Sequence, residues 1–313
     1  MAPTGQRDGD EYTRFCGRPG QNMKARNFRY IRPSSLHHAL QVLADAGEDA
    51  IAIAGGQSLL AALNMRLSTP KLLVDIGNLT ELAGQSYNNG IVCLGALTRH
   101  RELVESPLVG KHVPLLAKAA PYVGHIAIRN RGTLGGSLAY ADPAAELPAC
   151  MVALDATFVL CSPSGEREVA ARDFYKGLFE TTLRRGELIT AVKVVAAHAG
   201  AAFGFAELSR RHGDFALVGL AAAAVMRGER IEQATLVYLG CVDRARVAHS
   251  ISTAVAGLPI PLRDGHALDN AIREDLNPQD SPGLRGETKK RMAIAITKRV
   301  LNSLTQGQPH DRR

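Results

Sequence analysis

Ile128-Arg129-Asn130-Arg131-Gly132-Thr133-Leu134-Gly135-Gly136-Ser137-Leu138-Ala139-Tyr140-Ala141-Asp142-Pro143-Ala144-Ala145-Glu146-Leu147-Pro148-Ala149 is the stretch on which the fold turns. Gly132, Gly135 and Gly136 lie so close together that irregular backbone is expected there rather than helix. Arg129, Asn130, Thr133 and Ser137 crowd polar donors around them, a density for which a mere connector has little use. Upstream stands a second glycine turn, Ala54-Gly55-Gly56-Gln57-Ser58. Each turn pairs adjacent glycines with a small hydroxyl residue, the composition a backbone needs to approach a phosphate and offer it N–H groups. Taken alone, the first turn reads equally as a plain strand–turn–helix connection. Together the two point to one extended ligand held along its pyrophosphate, a dinucleotide.

Two standard nucleotide motifs are excluded. The first turn continues as Gln57-Ser58, without the Lys-Ser/Thr pair that clamps a triphosphate. It also lacks the third glycine of G-x-G-x-x-G and a ribose-binding acid at the right distance.

Around these turns the pattern alternates strands and helices. An edge strand is expected at Phe28–Ile31 and a helix from a Ser34 or Ser35 cap through Leu36, Ala39, Leu40 and Leu43 to a stop at Gly47. A strand over Ala50–Ala54, a helix over about Ser58–Arg66 and a strand over Leu72–Ile76 complete a first unit. Further strands are expected at Ile91–Gly95, Met151–Leu160 and Leu188–Val194, helices at Thr98–Val104 and Leu115–Val123, a loop at Leu138–Ala145, and a hairpin turn at Ser162-Pro163-Ser164-Gly165. His125 reads as a packing or hydrogen-bonding histidine, Asp142 equally as a turn former, Tyr140 as core or pocket wall, and Asp75 as the cap of its strand. Alanines between Ala196 and Ala202 mark a domain boundary. Beyond it come strands at Phe203–Glu207 and Ile231–Gly240, an Ala-rich buried segment at Leu217–Met226 and an amphipathic helix over Lys289–Leu301.

Composition narrows the function classes. The chain has 313 residues, enough for two domains with their own cores. Its net charge of +7 is scattered in short pairs such as Arg184-Arg185 and Arg210-Arg211, not as a basic stripe interleaved with aromatics, so no nucleic-acid partner is expected. The five cysteines are spread without a C-x-x-C pair, which argues against a bound metal or iron–sulfur cluster and for free thiols in the cytoplasm. No apolar run reaches the roughly 18 residues of a membrane span, and residues 1–22 read as a polar, disordered extension without a signal-peptide core.

At this point Ala54–Leu60 and Ile128–Ala149 together resemble the FAD-binding medium subunit of bacterial molybdenum hydroxylases, the family of aerobic carbon monoxide dehydrogenase and the xanthine dehydrogenase-like enzymes. The resemblance runs from about Met23 to Leu301, and a third mark is Arg210-Arg211-His212-Gly213-Asp214-Phe215-Ala216. It implies an α+β fold: a two-lobed FAD-binding domain of the vanillyl-alcohol oxidase (PCMH) type over 23–198, a smaller C-terminal α+β domain of the CO dehydrogenase flavoprotein type over 199–305, and a tail at 306–313. Ala54, Gly55, Gly56, Gln57, Ser58 and Leu59, with Thr133, Leu134, Gly135, Gly136 and Ser137, are implied to wrap the pyrophosphate and ribityl chain. Val123 and Leu188 are further implied contacts, Asp142 to Glu146 lies along the flavin's edge, and Phe215 packs near the isoalloxazine. Arg210 or Arg211 stands where relatives often carry Lys, a departure that leaves open which arginine touches FAD.

By the same resemblance the chain is an electron-transfer subunit with no catalytic acid, base or metal ligand of its own. Molybdopterin belongs to a large partner and two [2Fe–2S] clusters to a small one, in a dimer of heterotrimers, and FAD passes electrons to an external acceptor. The lack of clustered cysteines sets the chain apart from the branch that carries a [4Fe–4S] cluster in this subunit. A stand-alone FAD-dependent oxidoreductase and a non-catalytic nucleotide-binding regulator are the alternative readings.

Overall fold

A computed structural model describes residues 13–14, 24–262 and 266–304 of the chain. The first lobe is built from β1 (Thr13–Arg14), β2 (Arg29–Ile31), α1 (Leu36–Ala46), β3 (Ala50–Ile53), α2 (Leu59–Asn64) and β4 (Leu72–Asp75). Its sheet has the order β1-β2-β4-β3, with β4 parallel to both β2 and β3. Parallel neighbours need crossovers, which α1 and α2 supply. Ser35 caps α1 by accepting from the His38 N–H, Gly47 ends it at φ 55°, and Ala39, Leu40 and Leu43 are its buried stripe. Thr13–Arg14 pairs with β2; the rest of the expected extension over 1–22 and the tail over 306–313 lie outside the described residues.

The second lobe opens with β5 (Gln85–Asn88) and β6 (Ile91–Gly95). Six short helices follow: α3 (His100–Glu105), α4 (Pro107–His112), α5 (Pro114–Ala119), α6 (Ile126–Arg131), α7 (Leu134–Tyr140) and α8 (Glu146–Ala153). The chain returns through β7 (Thr157–Ser162), β8 (Gly165–Ala170), α9 (Ala171–Phe174), the small hairpin β9 (Tyr175–Gly177) and β10 (Glu180–Thr181), and β11 (Leu188–Val195). The sheet is antiparallel in the order β5-β6-β11-β7-β8, and its core includes Phe158 and Phe174 packed edge to face at 4.8 Å.

The C-terminal unit is a three-stranded meander, β12 (Ala201–Leu208), β13 (Val218–Arg227) and β14 (Arg230–Leu239), with α10 (His249–Val255), α11 (His266–Asp275) and α12 (Gly286–Ser303). One face of this sheet takes α12, where Gly204 leaves room for Val300. Ala221, Val237 and Leu239 on the other face join the core of the second lobe. The alanines of β13 thus allow close cover from both sides.

Three local expectations are corrected. Thr133–Ser137 is not an irregular turn but the start of α7: Thr133 is the N-cap, its Oγ1 accepting from the Gly136 N–H at 3.2 Å. Tertiary contact overrides propensity here, since a Cβ on Gly135 would sit 2.6 Å from Ala96 Cβ. Met151 begins no strand, because α8 runs on to Ala153. All eight of its residues are buried, so the sequence carries no periodic signal for it. Leu115–Val123 is broken at Pro121 into α5 and a 3₁₀ turn, Ala120–Tyr122. Replacing Thr133 by Ala removes the α7 cap and is expected to cost about 1 kcal/mol, read as a lower urea midpoint with an unchanged slope.

Candidate functional site

A cleft of about 810 Å³ runs between the two lobes and reaches the C-terminal unit at Gly213, Asp214 and Phe215. That size falls in the range of roughly 300–1,000 Å³ usual for small-molecule sites. Its walls carry both glycine segments, through Ala54–Leu59 on one side of the sequence and Thr133, Gly135, Gly136 and Ser137 on the other. The two segments touch. A Cβ on Gly55 would lie 2.2 Å from the Arg131 carbonyl oxygen, and one on Gly132 would lie 2.7 Å from the His100 ring. These glycines are therefore required by chain-to-chain contact, which fixes the walls of the cleft.

The hydrogen bonds divide the two segments sharply. At the start of α7 the N–H groups of Leu134 and Gly135 donate to the carbonyls of Thr98 (2.9 Å) and Ala96 (2.8 Å), and that of Ser137 to Thr133 (3.1 Å). With the Gly136 N–H held by Thr133 Oγ1, each backbone N–H from Leu134 to Ser137 has its acceptor within the chain. The N–H groups of Gly55, Gly56, Gln57, Ser58 and Leu59 find no acceptor among the described residues. Gly56 turns the chain at φ 71°, a left-handed step that glycine takes without strain and that curls successive N–H groups into an anion-binding concavity. Of the two glycine segments, the first carries the run of unpaired backbone donors, and the second packs against it and holds it in place.

Carboxyl groups gather along the same cleft. Asp142 Oδ1 accepts from the Ala144 N–H at 2.8 Å, a turn-forming bond, while burial pushes its pKa up. Glu146, only 7% exposed, also lines the cleft. Burial, aided by the Asp142 charge, raises its pKa to about 7. Burial raises Glu207 on β12 to about 8, and the Glu146 charge adds to this. His100 Nε2 donates to the Thr133 carbonyl at 2.9 Å, and burial lowers its pKa to about 4, so it is neutral.

Carboxyls whose pKa is raised on folding keep protons that the unfolded chain, at its ordinary 4.5, has released. Their contribution is complete below about pH 4.5 and is lost as pH rises through about 7 to 8. Glu187, held low first by its bond to Arg167, acts in the opposite sense and only in acid. Melting of Glu207→Gln is expected to match the wild type near pH 5 and to exceed it near pH 9 by on the order of 2 kcal/mol.

Of the remaining residues expected at the site, Val123, Leu188 and Phe215 line the cleft. Leu134 is fully buried behind it. Arg210 and Arg211 do not reach it: Arg210 Nη2 donates to the Pro282 carbonyl at 3.0 Å, and Arg211 is exposed, its carbonyl accepting from Asp214 N–H and Ser209 Oγ. His125 is exposed and lines the cleft rather than packing, and Tyr140 is a half-buried cleft wall with its ring 5.3 Å from Phe179. Sequence reading missed the far end, where Leu43, Gly47 and Glu48 face Arg184, Arg185 and Gly186 and Glu48 pairs with Arg185. The signal was there in Gly47 and Gly186, both at positive φ.

Comparison with known proteins gives two family matches, the FAD binding domain in molybdopterin dehydrogenase over residues 26–194 and the CO dehydrogenase flavoprotein C-terminal domain over 203–304. A relative from Paenarthrobacter nicotinovorans, the 6-hydroxypseudooxynicotine dehydrogenase complex subunit alpha, is 40% identical over 88% of this chain and 93% of its own. Among solved structures, a chain of carbon monoxide dehydrogenase from Hydrogenophaga pseudoflava superposes with a TM-score of 0.87 at 32% identity, covering 91% of this chain and 99% of that one. A chain of quinoline 2-oxidoreductase from Pseudomonas putida 86 gives 0.84 at 40% identity, with 91% and 99% covered. No helix among the described residues is long and apolar enough to cross a membrane.

Proposed function

The chain belongs to the FAD-binding medium subunits of the molybdenum hydroxylases, and from that premise we propose how its own residues serve the cofactor. One FAD lies in the cleft, its pyrophosphate on the N–H run Gly55–Leu59. The observation that carries this is the run itself: five consecutive backbone donors on a cleft wall without an acceptor in the described chain. The run begins at the buried Gly55 and opens to solvent at Gln57 and Ser58, and an anion such as pyrophosphate satisfies its donors together.

The other contacts follow from the cleft's course. Thr133, Gly135, Gly136 and Ser137 shape the wall against which the ligand lies, and Asp142 and Glu146 border the part of the cleft nearest the C-terminal unit. Val123, Leu188 and Phe215 supply apolar cover. Leu134 acts from behind, through packing. Arg210 and Arg211 are assigned away from the cofactor, since Arg210 is bound to the loop carrying Pro282.

As a medium subunit the chain is an oxidoreductase component. The bound flavin accepts electrons and passes them on, while the protein binds, orients and shields it. In this reading the electrons come from [2Fe–2S] clusters of a small partner, a large partner holds the molybdopterin, and the assembly is a dimer of heterotrimers in the cytoplasm. The division into a 23–198 FAD-binding domain and a 199–305 C-terminal domain belongs to the same proposal. It is supported by a separate apolar cluster beneath β12–β14. Purification of the chain with its co-expressed neighbours is expected to yield a yellow complex with one FAD per copy and two further subunits. A colourless chain that elutes alone, with no nucleotide released on heating, overturns the proposal.

A further inference from the structure

β3 is the end strand of its sheet, and β4 is its one strand partner among the described residues. Successive residues of a strand turn their N–H and C=O groups to opposite sides, so an end strand leaves every second residue unpaired. The parity is fixed here. The Asp49 and Ile53 carbonyls accept from the N–H groups of Lys71 and Ile76 at 2.8 and 3.0 Å, which turns residues 49, 51 and 53 toward β4. Ala50 and Ala52 therefore face the open side. The Ala50 N–H is taken by the Gly47 carbonyl. The outward groups without a partner among the described residues are the Ala50 carbonyl and both the N–H and the carbonyl of Ala52.

That open side is a wall of the cleft. All four β3 residues line it, although their side chains leave by two faces: Ala50 and Ala52 pack on the first-lobe core, and Ile51 and Ile53 point to the opposite face. A cleft lined by both faces of one strand runs along its edge. The facing wall comes from the loop before β11, held by the Glu48–Arg185 pair and by Gly186, on which a Cβ would meet Ala44 at 3.0 Å. The edge leads straight into the N–H run, Ala52 lying three residues, or about 10 Å of extended chain, before Gly55.

Along such an edge a carbonyl and the N–H two residues further on lie side by side, one accepting and one donating. A flat ring that carries a donor next to an acceptor fits both. Adenine does so through its 6-amino group and the ring nitrogen beside it, whereas a 6-oxopurine offers an acceptor where the donor is needed. With the pyrophosphate on Gly55–Leu59, the ribose spans the gap back to Ala52. An added peptide strand is the other common occupant of an open edge, but only Ala50 and Ala52 face outward before the chain turns at Gly56, and two residues are too few for one.

We propose that the open edge of β3 reads the purine of the bound dinucleotide: the Ala52 N–H donates to a ring nitrogen of adenine, and the Ala50 carbonyl accepts from the adjacent 6-amino group. The chain thereby selects an adenine over a 6-oxopurine dinucleotide. The proposal rests on the FAD reading above and extends it from the pyrophosphate to the base. The recognising groups are backbone, so no side-chain identity reveals them in the sequence.

The test uses the wild-type complex stripped of flavin and needs no variant. Fluorescence titration compares FAD with its analogue carrying hypoxanthine in place of adenine. The analogue is expected to bind about 10- to 100-fold more weakly, because the Ala50 carbonyl loses its donor and meets a second acceptor. Amide hydrogen exchange supplies a second readout: FAD is expected to slow the Ala52 N–H together with those of Gly55–Leu59, while FMN, which lacks the adenosine, leaves Ala52 fast. Equal affinity for FAD and the hypoxanthine analogue, or protection of Gly55–Leu59 without Ala52, overturns the proposal and leaves the FAD reading standing. An Ala52 N–H that is already slow in the stripped complex means that another segment of protein occupies the edge, and the proposal falls. A complex that binds no FAD overturns both.

Discussion

Replacing Gly55 by Ala is expected to cost about 3 kcal/mol or more of stability and to empty the cleft of flavin. The new Cβ would meet the Arg131 carbonyl oxygen at 2.2 Å, its carbon at 2.8 Å and Gly132 Cα at 2.9 Å. All three are backbone atoms at the end of α6, so no side-chain rotation relieves the overlap. The two walls have to part, and the N–H run that begins at Gly55 moves with them. Gly110→Ala is the control. It sits within α4 with nothing within 4 Å of the added Cβ, and the change is expected to be neutral or to stabilise by up to about 1 kcal/mol. Chemical denaturation and the flavin content of the purified variants separate the two outcomes. A Gly55→Ala protein with wild-type stability and full flavin contradicts the account of the walls.

The second large effect is electrostatic. Ser58 is exposed, and its hydroxyl makes no hydrogen bond to cap α2, so Ser58→Asp is expected to leave folding intact. A carboxylate about 5 Å from a phosphate charge, at an effective dielectric of about 20, is repelled by about 3 kcal/mol, which weakens FAD binding by about 100-fold. Ser58→Ala keeps every backbone donor and is expected to change affinity by no more than about threefold. Equal affinities for Ser58→Asp and the wild type mean that the pyrophosphate lies elsewhere.

The sequence made the strand–turn–helix of the first lobe legible down to its caps, because Ser35, the Leu36–Leu43 stripe and Gly47 each state a local preference. It also drew attention to both glycine segments. Their relative roles were hidden. Glycine reads alike whether a ligand or another stretch of the same chain approaches, and Gly132 and Gly135 yield to His100 and Ala96. Whether an N–H is free depends on a distant acceptor, here the carbonyls of Ala96 and Thr98, which no local pattern announces. α8 was misread because a helix covered on every side has no polar face to give it a period. Arg184-Arg185 resembled ordinary surface charge until Glu48, far upstream, was placed beside it. The strand expected at Phe203–Glu207 did not say which way Glu207 faces, since only the packing of Phe203 and Phe205 tells which face of β12 is the inner one.

The most direct measurement is a fluorescence titration of the cofactor-stripped chain with FAD and, separately, with FMN. A cleft that runs from the Glu48–Arg185 end to Phe215, with its free donors at Gly55–Leu59, predicts one FAD per chain and FMN binding weaker by about 100-fold or more. Equal affinity for the two nucleotides, or no saturable FAD site, contradicts it.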